Sequence, residues 1–404
     1  MLFHIIRKYS SQLFHTKGKV FWGTIFFAIF LAMLIVGLWP LDFRPPNKVS
    51  WLRDINGINF YGQAIILSPP LWGEPRESQF KDKSITIEIW VHPAAGPSDV
   101  GIDRILTLYD GQEPDVLFLG QWKSHLDIQN RIQIVRSGLQ KPAKRRDYAE
   151  IGLRDALAGN TDQFVTVTSG AGGTSIYLNG RHEKTYPNHK LLSGFTGAPF
   201  RLILGNSATG ESYWTGYLSG LAIYNRTLTS EEIVRSYQDW MNKGKPSASA
   251  DNGCIVLYPF DERKGTIVHN QTGNNNQLTI PEAFAPLRHI VLSPPWHDLR
   301  WDRSSIQDVT TNIVGFIPFG FFCAAFLCKV KRRGKTSIYL NTALIGLGFS
   351  LAIELLQVYI PTRYSQSIDV ICNVIGTIIG LVIFHKMVFA TSNTARGALH
   401  CEKL

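Results

Sequence analysis

Val20–Trp39 reads VFWGTIFFAIFLAMLIVGLW, an apolar run without a single charge. As a helix rising about 1.5 Å per residue it covers roughly 30 Å, the hydrocarbon thickness of a bilayer. Pro40-Leu41-Asp42 follows it in place of a small-x-small cleavage site, so the run reads as an uncleaved anchor rather than a signal peptide. Three more runs of similar length stand near the other end: Val309–Cys328 without a charge, Ser337–Tyr359 with only Glu354, and Val370–Ala390 with His385 and Lys386 near its end. Transmembrane helices are therefore expected at 20–39, 309–328, 337–359 and 370–390.

The chain has 404 residues and a formal net charge of +10. Such an excess invites a polyanionic partner, but its placement argues otherwise. Residues from Pro40 to Asp308 hold 28 basic and 28 acidic side chains. The excess sits beside the spans: Arg7, Lys8, Lys17 and Lys19 before the first, Lys329, Lys331, Arg332, Arg333 and Lys335 between the second and third, and Lys386, Arg396 and Lys403 after the fourth, with Glu402 the one acid among them. Basic loops stay cytoplasmic. The N-terminus (1–19), the 329–335 loop and the C-terminus are thus expected inside. Residues 40–308 and the Gln357–Ile368 loop are expected outside. That is a multi-pass protein of the cell (inner or plasma) membrane with a periplasmic or extracellular domain; the lipid bilayer is an expected partner and nucleic acid is not. With 18% charged and 45% hydrophobic residues the chain is not disordered, and five Cys exclude a small disulfide scaffold.

The outer segment reads as all-β. Ser84–Val91, Arg104–Leu108, Ile132–Val135, Phe164–Thr168, Ser175–Leu178, Arg201–Leu204 and Gly220–Tyr224 are short β-rich runs separated by Gly, Pro, Asn and Asp clusters. A sandwich is expected over 50–290: a main body at 50–240, a linker at 243–251 (KGKPSASAD) and closing strands at 254–290. One helix is expected at Ser230–Trp240, capped by Thr229 or Ser230. The runs SITIEIWVHP, FVTVTSGAGGTSIYLNGRHEKT and FRLILGNSATGESYWTGYLSGLAIYNRTLTSEEI resemble the laminin-G-like or concanavalin-A-like jelly roll, in its Tyr177–Gly180 hairpin and its Gly216–Leu228 stretch. Ile255–Gly273 resembles the opening strand pair of such domains yet follows the body. Ile65–Leu71 (IILSPPL) is repeated as Ile290–Trp296 (IVLSPPW). The C-terminal piece either closes the same sandwich or begins a second one; closure is favoured, because an isolated strand pair is marginal in water.

The membrane part resembles the VanZ-like family over 308–386. The resemblance rests on Asn312-Ile-Val-Gly-Phe-Ile-Pro-Phe-Gly320, Glu354-Leu-Leu-Gln357, Pro361-Thr-Arg363, and Asp369 with Asn373, Gly376 and Gly380. The family usually has a short loop where this chain inserts a jelly roll between helices 1 and 2. Its named member is associated with low-level resistance to teicoplanin, so the resemblance implies a role in cell-envelope biology without naming a reaction.

Spacing alone points to a site. Asp308 and Asn312 share a helix face, as do Glu354 with Gln357 and Asp369 with Asn373. All three pairs fall at the outer ends of their helices, with Arg363 on the loop between two of them. These seven groups are expected to form one polar pocket, either interhelical glue or a ligand site. A carboxylate within a span costs at least ~2.5 kcal/mol, so Glu354 needs a partner or a cavity. Gly376 and Gly380 have the small-xxx-small spacing of close helix packing.

In the outer domain Trp122, Tyr213 and Trp214 are candidates for stacking on sugar rings, against core packing as the alternative. Lys141, Lys144, Arg145 and Arg146 make a basic loop. Glu88 stands without the companion acids a glycosidase strand would carry. No His or Cys spacing points to a metal, and no cofactor is expected. Two functions remain: a non-catalytic envelope protein whose jelly roll binds a glycan or cell-wall precursor, and a membrane enzyme or transporter acting on a lipid-linked saccharide through the polar pocket. The first is favoured, because a polar pocket shows no chemistry by itself.

Overall fold

The computed structural model describes residues 14, 16–71, 80, 82–94, 101–132, 147–246, 252–273, 275–295, 303–330, 335–361 and 363–388. Outside them lie Arg7 and Lys8, the end of the Ile132–Val135 run, the Lys141–Arg146 basic loop, the end of the linker, Trp296, Lys331–Arg333, and Arg396 with Lys403. The chain divides into two compact units, one of residues Arg44–Arg288 and one of Met1–Phe43 with His289–Leu404.

The second of these is helical. Helices α1 (Lys19–Gly37), α3 (Arg303–Val330), α4 (Lys335–Gln357) and α5 (Ser367–Val388) each have the length and apolar composition to cross a membrane. The short α2 (Ser230–Lys243) belongs to the β unit. Pro318 lies inside an unbroken α3. Helices α3 and α5 meet backbone to backbone. A Cβ on Gly376 would strike the Ile313 carbonyl, one on Gly380 the Ile317 carbonyl, and one on Gly320 the Thr377 carbonyl. Small residues permit this approach, and apolar burial cannot drive it in lipid.

The β unit is a sandwich of sixteen described strands: β1 (Val49–Trp51), β2 (Ile58–Phe60), β3 (Ile66–Leu67), β4 (Ile85–Pro93), β5 (Asp103–Tyr109), β6 (Leu117–Trp122), β7 (His125–Arg131), β8 (Tyr148–Leu153), β9 (Gln163–Gly170), β10 (Gly173–Leu178), β11 (Arg181–Tyr186), β12 (Arg201–Leu204), β13 (Gly216–Tyr224), β14 (Cys254–Tyr258), β15 (Ile267–Val268) and β16 (Leu278–Thr279). One sheet runs β1-β2-β13-β4-β9-β10-β11, with β14 also on β13; the other runs β15-β16-β3-β12-β5-β6-β7-β8. The C-terminal strands therefore join both sheets of the same sandwich. Its two ends also meet, where Phe284 N donates to Pro45 O (2.8 Å). The two SPP repeats part company. The first supplies β3, while Ser293 of the second pairs with Gln366 in the helical unit.

Alternation along β4 explains its burial on both faces. Ile85, Ile87, Ile89 and Val91 fill the sandwich core. On the opposite face Glu88 and Trp90 lie under α2, whose N-terminus carries a capping box between Thr229 and Glu232. Glu88 is wholly buried. Its Oε2 accepts from Ser236 Oγ (2.8 Å), Tyr224 OH (3.3 Å) and Trp240 Nε1 (3.4 Å), while Oε1 has no partner among the described residues. Burial pushes its carboxyl from 4.5 up to about 7, the three donors pulling the other way.

The folded state therefore holds this proton more tightly than the unfolded chain. The associated stability is full below pH 4.5 and is lost as pH rises through about 7, a change of about 3 kcal/mol. Amide exchange across β4 is expected to slow from pH 8 to pH 5 after correction for intrinsic rates, and Glu88→Gln is expected to flatten that slope. In the helical unit, Gly376→Leu or Gly380→Leu is expected to force α3 and α5 apart, costing at least ~1–3 kcal/mol, read as a lower thermal midpoint in detergent.

Candidate functional site

At one end of the helical unit lie the start of α3, the end of α4, the start of α5 and the end of α1. Between them is a cavity of about 610 Å³. Asp308, Asn312, Glu354, Gln357, Arg363, Asp369 and Asn373 all line it, as do Gln366 and Tyr364 from the loop before α5. Ala32, Met33, Val36, Phe316 and Ile353 form its apolar wall.

The spacing of each pair explains its aim. Residues three or four apart on one helix point the same way, and the antiparallel succession of α3, α4 and α5 puts all three pairs at one end. Asn312 Nδ2 donates to Asp369 Oδ1 across α3 and α5 (2.7 Å). Glu354 is 2% exposed, and its Oε2 accepts from the backbone amide of Gln366 (2.8 Å), one residue before α5 begins. The carboxylate that would be costly in hydrocarbon thus has both a partner and a cavity. Gln357 Nε2 donates to Gly37 O (2.8 Å) and Arg363 Nε to Trp39 O (2.8 Å), so the carbonyls left open at the end of α1 are used by α4 and its loop. Asn373 Nδ2 donates to Ser350 Oγ (2.9 Å). Two acceptors stay unsatisfied among the described residues, Gln357 Oε1 and Asn373 Oδ1, on side chains 9% and 4% exposed. Asp308 is exposed where it lines the cavity.

Several participants escape sequence reasoning. Gln366 acts through its backbone, and the Gly37 and Trp39 carbonyls carry no side-chain signal. The loop is held by Ser293, whose amide donates to Ser365 O (2.9 Å) and whose carbonyl accepts from Ser367 N (3.0 Å). Only Ser350 was within reach of pattern reading, because it lies four residues before Glu354 on the same face. Among the described residues no three His, Cys, Asp or Glu come together in a way that could hold a metal ion.

In the β unit the three aromatic candidates separate. Trp214 is 1% exposed, donates from Nε1 to Gln121 Oε1 (2.8 Å) and packs on Phe60, so it belongs to the core and is closed to a ligand. A buried tryptophan usually finds a partner for its one donor, as this one does. Trp122 and Tyr213 are 40% and 47% exposed. They flank the start of β5: Gln121, next to Trp122, pairs with Asp103, and Tyr213 bridges to Arg104. His125 and Lys123 stand beside the Trp122 ring.

These features define a helical membrane protein that carries a β-sandwich between its first and second spans. Residues 248–390 match the VanZ/LLP1 family model, and residues 74–234 match that of the concanavalin A-like lectin/glucanases superfamily. The chain thus combines a VanZ-like region with a concanavalin-A-like domain. Among curated proteins none matches. Solved structures with similar folds include the CBM40 of a Ruminococcus gnavus IT-sialidase bound to α2,3-sialyllactose (15% identity, 44% of this chain and 95% of that one, TM-score 0.33). A protein from Bacteroides ovatus described as carbohydrate-binding matches at 17% identity over 60% of this chain and 62% of its own, with a TM-score of 0.37. A pentraxin from Limulus polyphemus matches at 13% identity over 48% of this chain and 83% of its own, with a TM-score of 0.31.

Trp214→Ala is expected to cost ~3–5 kcal/mol, whereas Trp122→Ala and Tyr213→Ala should stay within about 0.5 kcal/mol; denaturant midpoints of the three variants check the assignment.

Proposed function

We propose that this protein is a non-catalytic, multi-pass receptor of the cell envelope. Its jelly roll binds a surface glycan or cell-wall precursor, and its membrane unit holds an amphiphilic ligand in the polar cavity. The observation that carries the reading is the cavity itself. Helix packing alone would favour satisfied polar pairs, yet among the described residues two buried acceptors are left without donors in a cavity that three carboxyl groups also line. The glycan half draws support from the match to the lectin/glucanases superfamily and from the exposed Trp122 and Tyr213, whose rings offer the flat apolar faces that sugars stack on.

The basic residues flanking the spans favour a cytoplasmic N- and C-terminus and an outward-facing cavity and sandwich. In that orientation both binding parts meet the outer leaflet and the wall, where a teicoplanin-type glycopeptide or a polysaccharide precursor would be encountered.

The test pairs Glu354→Gln plus Asp369→Asn in one strain with deletion of Ser50–Pro286 in another. Each is expected to change teicoplanin susceptibility or surface polysaccharide. A carboxyl variant that inserts normally and behaves as wild type overturns the cavity half. A purified protein that binds no glycan or wall fragment overturns the lectin half. Turnover or transport of a lipid-linked saccharide, abolished by the same two substitutions, would replace the receptor with an enzyme or transporter.

A further inference from the structure

Taken as a ligand site, as proposed above, the cavity has a lopsided inventory of hydrogen-bonding groups. Four of its donor atoms are already bonded to neighbouring elements. Asn312 Nδ2 is bonded to Asp369, Gln357 Nε2 to Gly37 O, Asn373 Nδ2 to Ser350 Oγ, and Arg363 Nε to Trp39 O. Two of its buried acceptors are not. Gln357 Oε1 and Asn373 Oδ1 are buried with no partner among the described residues. Among the described lining residues Asp308, Glu354 and Asp369 are three carboxyl groups and Arg363 is the one guanidinium. Buried acceptors call for donors. Two open acceptors and a majority of carboxyl groups in a low-dielectric setting favour a cation and disfavour an anion.

The three carboxyl groups do not gather into a set that could hold a metal ion. Spread over the starts of α3 and α5 and the end of α4, they suit a larger organic cation with several N–H donors. The lining also offers hydrocarbon, from Met33, Val36, Phe316 and Ile353. A cavity of about 610 Å³ has the size of a small-molecule site, enough for a headgroup and the first part of a chain.

We infer that the cavity selects an amphiphile whose headgroup is a primary ammonium or similarly donor-rich cation, and that it discriminates against phosphate and carboxylate headgroups. Arg363 does not reverse this preference, since it is one cation among three carboxyl groups and is tethered to the end of α1. Asp308, exposed at the cavity, is the carboxyl that an incoming headgroup meets without disturbing a bond between helices.

The test uses the purified full-length protein in detergent micelles and three dansyl-labelled undecyl probes that differ only in their free end: amine, alcohol and carboxylate. The amine is expected to bind at least tenfold more tightly than the carboxylate, with the alcohol between them. Asp308→Asn is expected to weaken the amine several-fold while leaving the alcohol unchanged, and Asp308→Lys to narrow or invert the preference. Circular dichroism and gel filtration check that both variants keep the fold. Equal or tighter binding of the carboxylate overturns the inference, as does an amine affinity indifferent to Asp308→Asn and Asp369→Asn alike. Saturable binding of all three probes, weakened equally by Gln357→Leu, keeps the cavity as a ligand site and removes only its cation preference. Binding of none of the three removes both.

Discussion

The close approach of α3 and α5 is the constraint on which the helical unit depends. Gly320, Gly376 and Gly380 let two backbones touch where any side chain would collide with a carbonyl. That contact sets the axial register of the two helices and so brings Asn312 within 2.7 Å of Asp369. With α3 and α5 locked, Glu354 of α4 reaches the amide of Gln366 just ahead of α5. Gln357 and Arg363 then cap the open carbonyls of α1. The polar cavity is what this chain of contacts leaves behind: each polar group is anchored on one side to a neighbouring helix, and several keep a second side facing inward.

The β unit rests on a different economy of polar groups. Its central strands β4 and β13 are covered on both faces, so the residues that face away from the sandwich core still have to be buried. Trp90 solves this with an aromatic stack on Tyr237. Glu88 solves it through three side-chain donors, two of them from α2. The helix is therefore more than a link to β14: it supplies the hydrogen bonds that permit a carboxyl group to sit under it, and its position is in turn registered by that carboxyl group.

Much of the fold was legible from local pattern. Four apolar runs of spanning length are visible without any tertiary information, because a helix in lipid must satisfy its own backbone and must be long enough. Strands such as β4, β9 and β13 announce themselves by β-branched alternation. Others do not. β11 (RHEKTY) is polar and largely exposed, and β7 (HLDIQNR) hides two apolar residues among charged and amide ones, so neither stands out from a loop. Six of the seven polar residues expected at the cavity stand in pairs at i, i+3 or i, i+4 spacing, and Arg363 lies on the loop between two of those pairs. Their bonding was not legible, because three of the five bonds described run to backbone groups: the Gln366 amide and the carbonyls of Gly37 and Trp39.

What the sequence determined by itself was the set of spans, the sandwich class, the capped helix and the list of polar residues, since each follows from composition and periodicity over a few turns or strands. Only the tertiary structure decided three things. It placed 254–290 in both sheets of one sandwich rather than at the start of another. It separated the repeated SPP segments into a strand of the β unit and a brace on the loop before α5. It also sent Trp214 to the core while leaving Trp122 and Tyr213 outside. The physical reason is common to all three. Strand partners and burial depend on contacts between residues far apart in the chain, and two tryptophans or two copies of one motif are locally alike until those contacts form.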